Sequence, residues 1–245
     1  MKRPRFRLLS ALAAASLAWA GTGAQGALLI NELDSDSVNP PSPAPADPLE
    51  FVEIYDTSGT SVPLDGYVLV FFNGGASNAN RAYRVEDLDG YSTSATGYFV
   101  AGSIPGAQLV MPGNTIQNGV DAIGLYVGNA ADFTTGNTTG TLATTTNLVD
   151  AIVYKTGADT DGVGLAGLLG MTGPDVDEFG RDGTSLSGSL DSIGRLPNGS
   201  GAAKDSTSWT FMTPTPGAAN GVVPEPASLL LATLSCAAIV ALRRR

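Results

Sequence analysis

The chain has 245 residues, of which 43% are hydrophobic and 15% charged, with a formal net charge of −10 and no histidine. The missing histidine excludes Ser-His-Asp and Cys-His catalysis and His-ligated zinc, and the single cysteine, Cys236, excludes an internal disulfide. The acidic excess opposes nucleic acid and anionic lipid as partners.

The first segment reads as an export signal. Lys2, Arg3, Arg5 and Arg7 form a basic start, Leu8 to Trp19 is apolar, and small residues follow. Ala18-Trp19-Ala20 and Thr22-Gly23-Ala24 are two cleavage sites of the A-x-A kind, ending at Ala20 and Ala24. An apolar run of about a dozen residues is too short to span a bilayer. Residues 1–26 are therefore expected to be a signal peptide, removed before folding.

The next 195 or so residues, 27–221, form the expected domain, long enough for a sizeable core. Short apolar runs alternate there with Gly, Thr, Ser and Asn turns, which predicts an all-β fold. Leu28 to Leu33 is the first predicted strand. The stretch from Asp34 to Pro48 holds five prolines, which donate nothing to a ladder, so it is expected to be an extended loop. Leu49 to Tyr55 is the second strand, with apolar residues on both faces. Turns at Asp56-Thr57-Ser58-Gly59 and Pro63-Leu64-Asp65-Gly66 lead to Tyr67–Phe72, whose two apolar faces predict a central strand. Ala82–Val85 is expected as a short edge strand and Gly97–Ala101 as a further strand. In Asp121–Val127, Ile123, Leu125 and Val127 alternate and are expected to face the core. Thr134–Thr146 reads as an exposed Thr/Gly loop, and Leu148–Tyr154 as a strand.

Thr156–Leu190 is rich in Gly and Asp, with room for one helical turn at Val163–Leu169. Loops of this length are commonly functional or mobile. Asp191–Leu196 and Trp209–Met212 are the last predicted strands, and Thr213-Pro214-Thr215-Pro216-Gly217 ends the pairing. Seven of the 13 basic residues lie in the two terminal segments, whereas all 23 acidic residues fall between Glu32 and Glu225. The exported part thus carries six bases against 23 acids, a net charge of −17.

Several fragments, taken in order, resemble the bacterial lamin-tail domain. They are Ile30-Asn31-Glu32, Glu50-Phe51-Val52-Glu53-Ile54-Tyr55, Leu64-Asp65-Gly66-Tyr67, Asp121-Ala122-Ile123, Val149-Asp150-Ala151-Ile152-Val153-Tyr154, Ser192-Ile193-Gly194-Arg195 and Thr215-Pro216-Gly217-Ala218-Ala219-Asn220. The resemblance implies an immunoglobulin-like β-sandwich that serves as an interaction module, and it brings no catalytic residues. The proline-rich loop and the 156–190 segment depart from the family pattern.

The last segment resembles the PEP-CTERM sorting signal of Gram-negative bacteria. Val223-Pro224-Glu225-Pro226 is followed by the uncharged run Ala227–Leu242 and by Arg243, Arg244 and Arg245. As a helix that run is about 24 Å long at ~1.5 Å per residue, short against a hydrocarbon core of ~30 Å. The arginines can snorkel at the inner side and place the C-terminus in the cytoplasm. Pro224 and Pro226 hold Glu225 extended. The resemblance implies recognition by an exosortase, a transient inner-membrane anchor over 222–245, and release to the surface or an exopolysaccharide matrix.

The acidic clusters are the remaining candidates. On an EF-hand template Asp159 and Asp161 take positions 3 and 5, but the place of the bidentate acid is Leu168. Asp175 and Asp177 fail at the same final position. A looser Ca²⁺ site built from Asp159, Asp161, Asp175 and Asp177 stands beside the alternative of a solvated acidic loop. Glu50 and Glu53 fall on opposite faces of their strand. Glu32 is expected to meet Arg81, Arg84, Arg195 or water, Arg195 to be a sheet-edge charge, and Trp209 to be core. Asn137 and Asn198, in N-x-[ST] triplets, are expected in exposed loops.

The expected function is that of an exported, non-catalytic surface or matrix protein, bound to exopolysaccharide or other surface proteins in a biofilm. The alternative is a Ca²⁺-dependent lectin-like or hydrolase domain using the 156–190 loop. No cofactor other than Ca²⁺ is expected.

Overall fold

The computed structural model describes residues 26–35, 49–75, 80–156, 163–173, 175–177 and 192–221. Among these residues eleven strands fall into two sheets. The strands are β1 (Leu28–Asp34), β2 (Phe51–Asp56), β3 (Tyr67–Asn73), β4 (Arg81–Asp87), β5 (Tyr98–Gly102), β6 (Leu109–Val110), β7 (Val120–Val127), β8 (Leu148–Lys155), β9 (Val176–Asp177), β10 (Ser192–Arg195) and β11 (Trp209–Met212). One helix, α1, spans Val163–Leu169, where the sequence predicts a helical turn. The first sheet runs β11-β10-β1-β2-β5-β6 and the second β4-β3-β7-β8-β9. Pairing is antiparallel except at β5–β6 and β8–β9.

The sheets share one apolar core. Ile30, Leu33, Val52, Ile54, Phe99 and Ile193 from the first meet Leu69, Phe71, Ile123, Leu125 and Ile152 from the second. Full burial stabilises each such side chain by roughly 1.5–3 kcal/mol. A bulge makes this possible in β1. The register slips between Ile30 and Glu32, so Asn31 is the extra residue. The slip brings Leu33 back to the core side with Ile30 and turns Glu32 outward, opposite Glu53.

β3 is central and buried on both faces, as its apolar run predicts. Leu69 and Phe71 enter the shared core, while Val68, Val70 and Phe72 enter a second cluster with Tyr126, Leu165 and Leu169. α1 therefore roofs the outer face of the second sheet. Part of the long 156–190 segment is thus packing surface rather than free loop.

Several expectations need correction. Val127 is 49% exposed and does not reach the core, because it is the last residue of β7. The edge strand β4 has seven residues rather than four, extended by polar residues at both ends. Its outer edge is partly covered by the Thr-rich stretch. Ala82 N donates to Thr141 O at 2.9 Å and Arg81 Nη1 to Gly140 O at 2.7 Å. Gly140 and Ala143 are accordingly buried within an otherwise exposed loop. The two-residue strands β6 and β9 and a 3₁₀ turn at Ala130–Asp132 have no counterpart in the sequence pattern.

Candidate functional site

The polar residues inside the apolar strands converge on the first sheet. Ile193 and Arg195 alternate inward along β10, so Arg195 enters the space between the sheets and is fully buried. It is not a sheet-edge charge, since β10 lies between β1 and β11. Its Nε donates to Ile30 O at 2.8 Å, and its Nη1 to Ser200 O at 2.9 Å and Ala202 O at 3.1 Å. Nη2 reaches both oxygens of Asp150, at 3.0 and 3.2 Å. The guanidinium also lies 5.4 Å from the centre of the Trp209 ring, which is core as expected. Asp150, on β8 of the facing sheet, accepts further bonds from Ile30 N at 2.8 Å, Lys204 N at 2.6 Å and Ala151 N at 2.9 Å. Burial pushes the Asp150 carboxyl up from the ordinary range, and Arg195 opposes that shift. One ion pair thus ties the two sheets and the 200–205 loop together.

A second network lies on the outer face of the same sheet. Among the described residues Glu32 meets no arginine. It accepts from Ser192 Oγ at 2.6 Å, Thr215 N at 2.8 Å and Thr215 Oγ1 at 2.9 Å. Its neighbour Glu53 accepts from Asn31 Nδ2 at 2.8 Å and Gly217 N at 2.6 Å. The bulged Asn31 also reaches Asn198 Oδ1 and Asn220 Oδ1, each at 3.1 Å, and its own Oδ1 accepts from Gly199 N at 2.9 Å. Asn220 donates to Asn31 O at 2.9 Å and Arg195 O at 3.0 Å. The segment 213–220 is thereby strapped across the sheet. Desolvation pushes Glu53 up to about 8, against the bonds from Asn31 and Gly217 and with the help of Glu32's charge. Desolvation raises Glu32 as well.

A third group sits where β2 begins and β7 begins. Glu50 Oε2 accepts from Thr115 N at 2.9 Å and Ile116 N at 3.1 Å, fixing the 113–119 loop. Asp121 accepts from Gly74 N at 3.0 Å, and burial pushes its carboxyl up to about 7. Burial also raises the Tyr83 phenol, which accepts from Gln117 N at 3.1 Å. Glu50 and Glu53 do lie on opposite faces of the chain, as their spacing predicts, and they serve different networks.

Of the residues singled out for metal binding, Asp175 lies 3.9 Å from Lys155 Nζ, and Asp177 of β9 stands at the register position beside Lys155 of β8. Asp159 and Asp161 lie outside the described residues, as do Ala20, Ala24, Val223, Pro224, Glu225, Pro226, Arg243, Arg244 and Arg245. Among the described residues no group of three or more His, Cys, Asp or Glu side chains is placed to hold a metal ion. No described helix is long and apolar enough to cross a membrane. Asn137 is exposed as expected, but Asn198 is half-buried and belongs to the outer network.

Several clefts open at the surface among the described residues. One, about 390 Å³, is lined by Leu28, Asp56, Val62, Tyr67 and Val149. Two more, about 270 and 190 Å³, flank the strap at Pro214 and Pro216. The sequence signal that points to the polar networks is a polar residue set inside an apolar run. Asn31-Glu32 in LLINELD, Asp150 in LVDAIVY and Arg195 after Ser192-Ile193-Gly194 all fit it.

No family profile matches the chain, and no curated protein matches it in sequence. A solved DUF4876 family protein from Bacteroides thetaiotaomicron is similar in structure, with a TM-score of 0.46 and 12% identity. The similarity covers 82% of this chain and 72% of that one.

Proposed function

We propose that this chain is an exported, non-catalytic surface or matrix protein. Its single immunoglobulin-like, lamin-tail-type sandwich is released by an exosortase acting near Val223-Pro224-Glu225-Pro226. One observation carries the reading: among the described residues the last one bonded to the sheet is Asn220, only three residues before Val223. Cleavage at the sorting motif would leave every bond of the strap in place and free a closed domain. The use of Glu32, Glu53, Asp150 and Arg195 as internal staples supports the non-catalytic part. These four are among the charged members of the fragments that resemble the lamin-tail family, and each is bonded to neighbours within the fold. A structural role explains why such residues interrupt apolar strands. The acidic exported part suits a hydrated matrix and keeps the domain soluble.

The test is fractionation of producing cells. Wild type is expected in the surface or matrix fraction, and a Pro224-Glu225-Pro226→Ala variant in the inner membrane, uncut. Equal surface accumulation of the two would overturn the sorting reading. Retention of the released domain on the producer's own exopolysaccharide tests the matrix role. No binding to polysaccharide, cells or itself would overturn that role alone.

A further inference from the structure

Glu32 and Glu53 stand directly opposite each other across β1 and β2, and both are fully buried. Among the described residues no cation reaches either carboxylate. Arg195 turns to Asp150 on the other side of the sheet, Arg84 to Glu86, and Lys155 to Asp175. All five of their hydrogen bonds come from neutral donors, and three of the five come from the strap, through Thr215 N, Thr215 Oγ1 and Gly217 N. Two adjacent buried charges held only by neutral donors are an unfavourable state. Water relieves it, and water enters only if the strap lifts.

The other groups around the pair do not change this balance. β10 contributes Ser192, which is neutral. β5 contributes Tyr98, stacked on Tyr55 at 4.7 Å, with its phenol raised to about 12 by burial. Asn31, Asn198 and Asn220 are neutral amides. β1 also contributes Asp34, two residues beyond Glu32 and buried beside Pro214 and Pro216, an acid that brings no cation to this face, so the pair's own effect is the part of the pH response that Glu53→Gln removes.

We propose that residues 213–220 form a proton-held strap, closed while the buried acid pair keeps a proton and lifting from the sheet as alkaline conditions ionise both carboxylates. The direction follows from linkage. Glu53 lies near 8 when the strap is closed and returns towards its ordinary value of 4.5 when water reaches it. The closed form thus holds the proton more tightly. Its advantage is complete below about pH 4.5 and is lost as pH rises through about 8. Within that window the ratio of open to closed strap rises about tenfold per pH unit. If the sorting reading also holds, opening has a further consequence. It adds eight residues, about 27 Å of extended chain, to the tether in front of the processing motif.

The test is hydrogen exchange on the full chain in detergent between pH 6 and 9, corrected for the intrinsic base-catalysed rate. Protection at Thr215 and Gly217 is expected to fall about tenfold per pH unit up to pH 8. The core amides of Ile123 and Ile152 should stay better protected throughout. Glu53→Gln, which has no proton to lose, should flatten the profile at Thr215. A pH-independent strap in the wild type would overturn the proposal, as would strap amides that exchange only in step with the core. An unchanged slope in Glu53→Gln would do the same. Should that variant fail to fold, the wild-type profile decides by itself. Fractionation of the sorting-motif variant reports separately, so failure of one reading leaves the other standing.

Discussion

Arg195→Met is the most direct probe of the interior. The substitution keeps an unbranched, apolar stem of similar reach and removes the guanidinium. It deletes the bonds to Ile30 O, Ser200 O and Ala202 O and both contacts to Asp150. Asp150 then keeps three backbone N–H donors but faces the core without a cation. Removing one partner of a buried ion pair costs about 3–5 kcal/mol, because the other charge stays behind. In a domain of this size each kcal/mol moves Tm by roughly 2–4 °C. Tm should therefore fall by roughly 6–20 °C, with a matching loss in urea-unfolding free energy. Without Arg195 the Asp150 carboxyl rises further, so the loss should be largest at neutral pH and shrink as acid protonates Asp150. The Arg195→Met/Asp150→Asn double variant should recover at least 1 kcal/mol relative to the sum of the single losses. A single-variant loss below about 1 kcal/mol, with additive behaviour in the double, would refute the view that this pair ties the sheets together.

Three further outcomes are expected. Asp121 is raised from 3.8 to about 7 by burial, so its contribution to stability is present below about pH 4 and lost as pH rises through 7. Thermal melts should show lower Tm at pH 8 than at pH 5, and Asp121→Asn should narrow the corresponding difference in unfolding free energy by up to about 2.7 kcal/mol, from about two pH units between pH 5 and 7 at ~1.36 kcal/mol each. In Gly194→Ala the new Cβ would lie 2.6 Å from Met212 Sδ and 2.7 Å from Asn220 Nδ2. That overpacking should cost about 1–3 kcal/mol in urea unfolding and loosen the strap, and a neutral result would mean that Asn220 moves aside freely. Tm should stay flat up to millimolar Ca²⁺, whereas a concentration-dependent rise would favour a Ca²⁺ site on the acidic 156–190 loop over the proposed reading.

The strands were legible because each is a run of β-branched and aromatic residues between Gly, Pro and Asn turns. Tyr67–Phe72 shows this best: two apolar faces required cover on both sides, and the shared core and α1 supply it. Val127 shows the limit. Period-two alternation sets the side of the sheet but not the extent of the core, and Val127, the last residue of β7, lies beyond it. Two-residue strands such as Leu109–Val110 carry too little pattern to read. The polar residues were visible as interruptions, but their partners were not. Glu32 looked like a mate for an arginine, and its bonds instead come from Ser192 and Thr215, 160 and 183 residues away.

By itself the sequence determined the all-β character, the place of each long strand and the single helical turn, since these depend on local periodicity and turn chemistry. Only the tertiary structure decided that β1 runs between β2 and β10, that Asn31 is a bulge, and that Arg195 turns inward to Asp150. The physical reason is burial. A charged side chain inside a sheet must find its partner among whatever chain the fold brings to it. Strand order, which couples residues far apart in sequence, chose Asp150 for Arg195 and the closing strap for Glu32 and Glu53.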